Sequence, residues 1–173
     1  GVSERAIEFL STATAASSAT LVFETAAWFA TPYVGLLFVI DRLVPSNGSS
    51  NDLRIRINLG SGYLSTDEYD IAQWGYSNGA SVSLGAEQQT RWSIANDVSN
   101  NVNYGISGSA TVYGMRTRGF MTAQTSYRAA TGSAGLSVSG QMRNSGVMTG
   151  VQFGVQTGTL VTGDIHLYGI RTS

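Results

Sequence analysis

The chain has one histidine, and it lies near the C-terminal end, in "GDIHLYGIRTS", Gly163 to Ser173. Side chains on an extended segment alternate between two faces. Asp164, His166 and Tyr168 therefore share one face, and Ile165 and Leu167 share the other. An acid, an imidazole and a phenol side by side raise nucleophilic hydrolysis as a first chemistry. That chemistry needs an imidazole hydrogen-bonded to a nucleophile and held by an orienting carboxylate. Side chains two apart on a strand stand roughly 7 Å apart, too far for Asp164 to orient His166 directly. No serine sits in a G-x-S-x-G elbow. The expectation is a chain with no catalytic residue, its His166 solvated or at an interface.

Metal chemistry is the second candidate. "TDEYD" gathers Asp67, Glu68 and Asp70, a carboxylate group of the kind that hard cations favour. The segment has no EF-hand pattern, and zinc is expected to lack the histidines and cysteines it would need. Paired carboxylates for glycoside hydrolysis cannot be picked out among acids scattered over many segments. No metal and no cofactor are expected, and no phosphate-binding glycine loop is present.

Composition narrows the classes further. Cysteine is absent, which removes disulfides and thiol chemistry. Charged residues are 12% of the chain, against about 25% in typical domains. Every basic residue is an arginine, and the formal net charge is −1. Such a balance gives no general pull toward nucleic acid. The longest apolar run, Val34 to Ile40, is far short of the ~20 residues of a membrane helix, and no leader pattern is visible, so no membrane partner is expected. Low charge with many small polar residues suits a surface that packs against copies of itself or other proteins.

The elements that would position these residues read as strands. "LRIRINL" alternates cleanly: Leu53, Ile55, Ile57 and Leu59 face in, Arg54 and Arg56 face out. "RAIEFLS" and "SATLVFET" read as a hairpin, and "YVGLLFVIDRLV" as a strand buried on both faces at its centre. "NGASVSLGAEQQ" reads as a turn and a polar connection. Ile106, Ala110 and Val112 are the inward positions of "YGISGSATVYGMR". Turn signals recur every 8–12 residues or so, the spacing of a sandwich or barrel. The fold class expected is all-β: one jelly-roll-like antiparallel β-sandwich over residues 1–173, with roughly nine to eleven strands. An immunoglobulin-like sandwich is the alternative, with fewer strands. Trp28, Trp74 and Trp92 read as core fillers, interface anchors or platforms for sugar rings. With Arg54 and Arg56 they are the interface candidates.

The order of motifs resembles a family of small virion proteins of tailed bacteriophages. "AIEFLSTATAASSATLVFET" comes first, then "TPYVGLLFVIDRLVPSN", where Tyr33, Phe38, Leu43 and Pro45 carry the match. "DLRIRINLGSGY" follows, and the closing strand "GTLVTGDIHLYGI" is similar to the family's ending. The resemblance implies a β-sandwich on the outer surface of the virion head or on the tail, trimeric, with no catalytic centre. Two roles compete within it. A capsid decoration (cement) protein binds the major capsid protein and copies of itself and stabilises the shell. A tail-fibre or tail-tip adhesin binds host-surface glycan. The chain shows no coiled-coil heptads of a fibre stalk, which favours decoration, with residues 1–10 as a docking arm.

Overall fold

The computed structural model describes residues 6–48 and 51–171. Twelve strands are present among them, one beyond the expected range. The larger sheet has the order β1 (Ile7–Thr14), β12 (Leu160–Arg171), β3 (Tyr33–Pro45), β8 (Ile106–Tyr113), β9 (Phe120–Ala129), β10 (Gly132–Met142), β5 (Tyr69–Ser77) and β6 (Ala80–Gln89). The smaller sheet has the order β2 (Thr20–Phe23), β11 (Gly150–Val155), β4 (Leu53–Asn58) and β7 (Trp92–Ala95). Every pairing between these strands is antiparallel.

The strand order is that of a jelly roll. β1 pairs with β12, β2 with β11, β3 with β8 and β4 with β7, so the chain winds as one long folded hairpin alternating between two sheets. Two hairpins, β5–β6 and β9–β10, widen the larger sheet beyond this frame. Each has a two-residue turn: Ser77 pairs with Ala80 and Ala129 with Gly132. Asn78 and Gly79 both have positive φ (51° and 81°), the backbone that an Asn-Gly hairpin turn requires.

Winding explains where the expected hairpin fails. β1 and β2 lie in different sheets and do not pair. Alternation tells a strand which side faces the core, but both sheets face the same core, so the pattern is silent about which sheet receives the strand. Ala15, buried at the crossing, and the bridge from Ser18 to Leu160 carry the chain across. The expected docking arm falls partly outside the described residues. Its remainder is not free: Ile7 to Leu10 belong to β1.

Period-two burial is clearest in β4, where Leu53, Ile55 and Ile57 are fully buried, and in β9, where Met121, Ala123, Thr125, Tyr127 and Ala129 turn inward. Ile106, Ala110 and Val112 face the core as expected. At the centre, Phe38 of β3 meets Phe23 of β2 and Phe153 of β11, with ring centroids 5.2 Å and 5.1 Å away. At its centre β3 is buried on one face only. Leu36, Phe38 and Ile40 are enclosed, while Leu37 and Val39 are half-exposed on the outer face of the sheet. The polar connection expected after Asn78–Gly79 is β6, an edge strand whose hydroxyls and glycine suit water on one side.

Trp92 closes the far end of the core. Its ring meets Tyr69 edge-on at 5.1 Å, and its Nε1 donates to the Asp70 carbonyl at 3.1 Å. Gly140 passes directly over it: a Cβ there would lie 2.4 Å from Trp92 Nε1. Gly140→Ala is therefore expected to destabilise the fold by about 1–3 kcal/mol through overpacking. The check is a urea titration, in which the midpoint falls and the slope is unchanged.

Candidate functional site

Twofold alternation gives the larger sheet an outer face that no layer of the described chain covers. Its registers place residues in rows across the strands. One row runs His166, Val39, Ser109, Gln124, Ser137, Trp74, Ser83. The next runs Phe9, Tyr168, Leu37, Thr111, Thr122, Ser139, Ala72. The face divides into three zones. At the β1 end Ile7 and Phe9 are about half-exposed, and Phe9 packs edge-on against Tyr168 at 5.6 Å. In the middle, β8 to β10 present mainly hydroxyls and amides, and the charged side chain on this part of the face, Arg128 of β9, lies over the Tyr104 ring at 5.0 Å. At the β5 end Trp74 and Tyr76 stand out, 52% and 50% exposed.

A shallow trough runs over this face. One hollow of ≈ 340 Å³ is lined by Ser109, Thr111, Thr122, Gln124, Ser137 and Ser139. A larger one of ≈ 620 Å³ shares Ser139 and extends to Ala72, Gly85, Phe120 and Gln141. Trp74 lies two residues beyond Ala72 on the same face of β5. At the rim one guanidinium serves two carboxylates. Asp70 accepts from Arg143 Nη1 at 3.2 Å, and Glu87 lies 3.6 Å from the same nitrogen. Burial pushes the Asp70 carboxyl up, but the Gln88 N–H and the Arg143 guanidinium outweigh it and hold it below the usual carboxylate range. A trough with aromatic platforms, many hydroxyl and amide partners and little net charge suits an uncharged, hydroxyl-rich ligand.

The sequence candidates scatter. Trp74 lies on this face. Trp28, in the short 3-10 turn Ala26–Phe29, is half-buried with its ring 6.4 Å from Phe23, and it covers the core. Trp92 is fully buried and is not a surface anchor; its position before an alternating segment was compatible with either. Arg54 and Arg56 lie on the outer face of the smaller sheet, facing out as expected. Neither makes an ion pair with a described residue, and their Nε atoms are buried without a hydrogen-bond partner. Burial first, then the neighbouring Arg91, brings Arg54 down to about 10. Burial also pushes the nearby Asp52 up.

The acids of "TDEYD" part company. Asp70 enters β5 and turns to Arg143, while Asp67 stays exposed in the loop. His166 contacts no serine hydroxyl among the described residues; its Nδ1 lies 2.8 Å from Thr12 Oγ1. Asp164 accepts from Thr14 Oγ1 at 2.5 Å rather than orienting the imidazole. What the sequence could not offer is Asp41, which the β3–β12 pairing sets opposite Asp164.

No family model matches the chain. No curated protein matches it either. Among solved structures, it is similar to the CBM2 module of the evolved Dit of Lactobacillus casei BL23 phage J-1, with 7% identity and a TM-score of 0.32 over 89% of this chain and 69% of that one. A Bacteroides ovatus protein of unknown function gives 12% identity and a TM-score of 0.21, covering 71% of this chain and 45% of that one. Superpositions this loose transfer nothing, and the functional reading rests on the geometry above.

Proposed function

We propose that the chain is a non-enzymatic virion module that works by adhesion, and that the outer face of the larger sheet is the adhesive surface, with a neutral host-surface polysaccharide as its partner. The single observation behind it is the exposed pair Trp74 and Tyr76 beside an uncharged trough of serine, threonine and glutamine. Flat aromatic rings take the apolar faces of sugar rings, and the hydroxyl and amide rows meet the sugar hydroxyls. The virion setting and the absence of catalysis both come from the resemblance in the motifs.

A panel of neutral bacterial polysaccharides, tested by affinity electrophoresis, checks the reading. Retention by at least one of them is expected. Trp74→Ala should weaken it by about 2 kcal/mol, roughly thirtyfold, as removal of a central aromatic anchor does. Retention by none, or retention indifferent to both Trp74→Ala and Tyr76→Ala, contradicts it.

Arg54 and Arg56 favour a second reading, the capsid decoration role. Guanidinium groups that make no ion pair with a described residue suit carboxylates of a protein partner. On that reading particles lacking the protein lose heat tolerance, and Arg54→Ala with Arg56→Ala releases it from the shell.

A further inference from the structure

We infer that Asp41, Asp164 and His166 form a binding site for one divalent first-row metal ion of the zinc class. Ligand atoms of all three side chains lie within 4.8 Å of one another. The site was not expected from the sequence, where one histidine seemed too few. It lies on the same outer face as the proposed adhesive surface, several strands away from Trp74 and Tyr76, and either can fail without the other.

Three strands build it. Asp164 and His166 lie on the same face of β12, and Asp41 of β3 stands directly opposite Asp164. The β3–β12 register shifts beside this pair, between Thr162 and Asp164, and the pairing of β3 with β8 shifts between Ile40 and Leu43. Irregularities of this kind re-aim side chains. Carboxylates placed directly across a strand pair repel each other. The ion pairs among the described residues join Arg143 to Asp70 and Glu87, and Arg171 to Glu8; none reaches Asp41 or Asp164. Arg42 lines the same ≈ 250 Å³ hollow as the two acids yet makes no ion pair with either. A bound dication would relieve this repulsion.

The donor set selects the ion. Calcium and magnesium take oxygen ligands, whereas an imidazole beside two carboxylates suits zinc and its neighbours in the first row. Three protein ligands leave room for water or a partner's ligand. The orienting shell is present on β1. Thr12 engages His166 Nδ1 at 2.8 Å, and Thr14 holds Asp164.

The test is calorimetric titration of the full, untagged chain with zinc chloride, followed by thermal unfolding. One zinc per chain is expected. Its binding should raise Tm by about 5 °C or more at zinc a hundredfold above Kd. His166→Ala and Asp41→Asn should each weaken binding about 100-fold, and Thr12→Val about tenfold. Trp74→Ala should leave zinc affinity unchanged. No zinc binding by the native chain would overturn the inference. So would zinc affinity that survives His166→Ala, or calcium bound as tightly as zinc.

Discussion

Asn51→Ala is expected to lower the unfolding free energy by about 3–5 kcal/mol, out of a typical total of about 5–15. Asn51 is fully buried, and its amide makes four backbone hydrogen bonds. Its Nδ2 donates to the carbonyls of Asn47 at 2.8 Å and Thr157 at 3.1 Å. Its Oδ1 accepts from the N–H groups of Gln156 at 2.9 Å and Thr157 at 3.1 Å. The backbone of the same residue accepts from Val98 N at 2.8 Å. One side chain thus fastens the β3–β4 connection to the turn before β12. Alanine leaves these backbone groups without partners, and each unmade buried bond costs about 1–3 kcal/mol, offset in part where water can enter. A fall in Tm of about 10 °C follows for a chain of this length. Unfolding followed by circular dichroism measures it, and a loss below about 1 kcal/mol would show that the staple is dispensable.

Phe38→Ala should cost about as much, 3–5 kcal/mol or so, by a different mechanism. Phe38 is fully buried at the point where the two sheets meet. Phe23 and Phe153 come from the opposite sheet, and those two rings are 6.1 Å apart. Removing the middle ring opens a cavity that neither sheet can close without breaking its own ladder, so the transfer and cavity costs add. Phe38→Leu, which keeps most of the volume, should recover a large part of the loss. A guanidinium titration of both variants checks this. Equal losses for alanine and leucine would mean that the ring contacts, not the filled volume, hold the sheets together.

Much of this frame was legible in the chain. The alternation of "LRIRINL" fixed which side of β4 faces the core, because a one-residue slip would send Ile55 into water. The turn residues Asn78 and Gly79 marked a turn on conformational grounds alone, but the polar segment after them, read as a connection, is the hairpin strand β6. What local pattern could not carry was the partner of each strand. The reading of "RAIEFLS" and "SATLVFET" as a hairpin fails for this reason, since pairing in a jelly roll joins β1 to the far end of the chain. The same gap hid the cluster at His166. Asp164 is visible beside it, but Asp41 arrives from another strand through register. Trp92 and Trp74 illustrate a further limit. Both sit in short strand segments among polar neighbours, yet Gly140 makes a slot for one while nothing covers the other.

The two sheets divide the surface between two kinds of chemistry. Around Trp74 and Tyr76 the larger sheet shows aromatics and uncharged polar groups, and the smaller one shows arginines that make no ion pair with a described residue. Mapping amide chemical-shift changes on titration with the best-retained neutral polysaccharide separates them most directly. Shifts centred on β5, β9 and β10, strongest around Trp74, Tyr76, Gln124 and Ser137, are the expected result. Shifts centred instead on β4 and β11, around Arg54 and Arg56, would contradict the assignment of the larger sheet as the adhesive face.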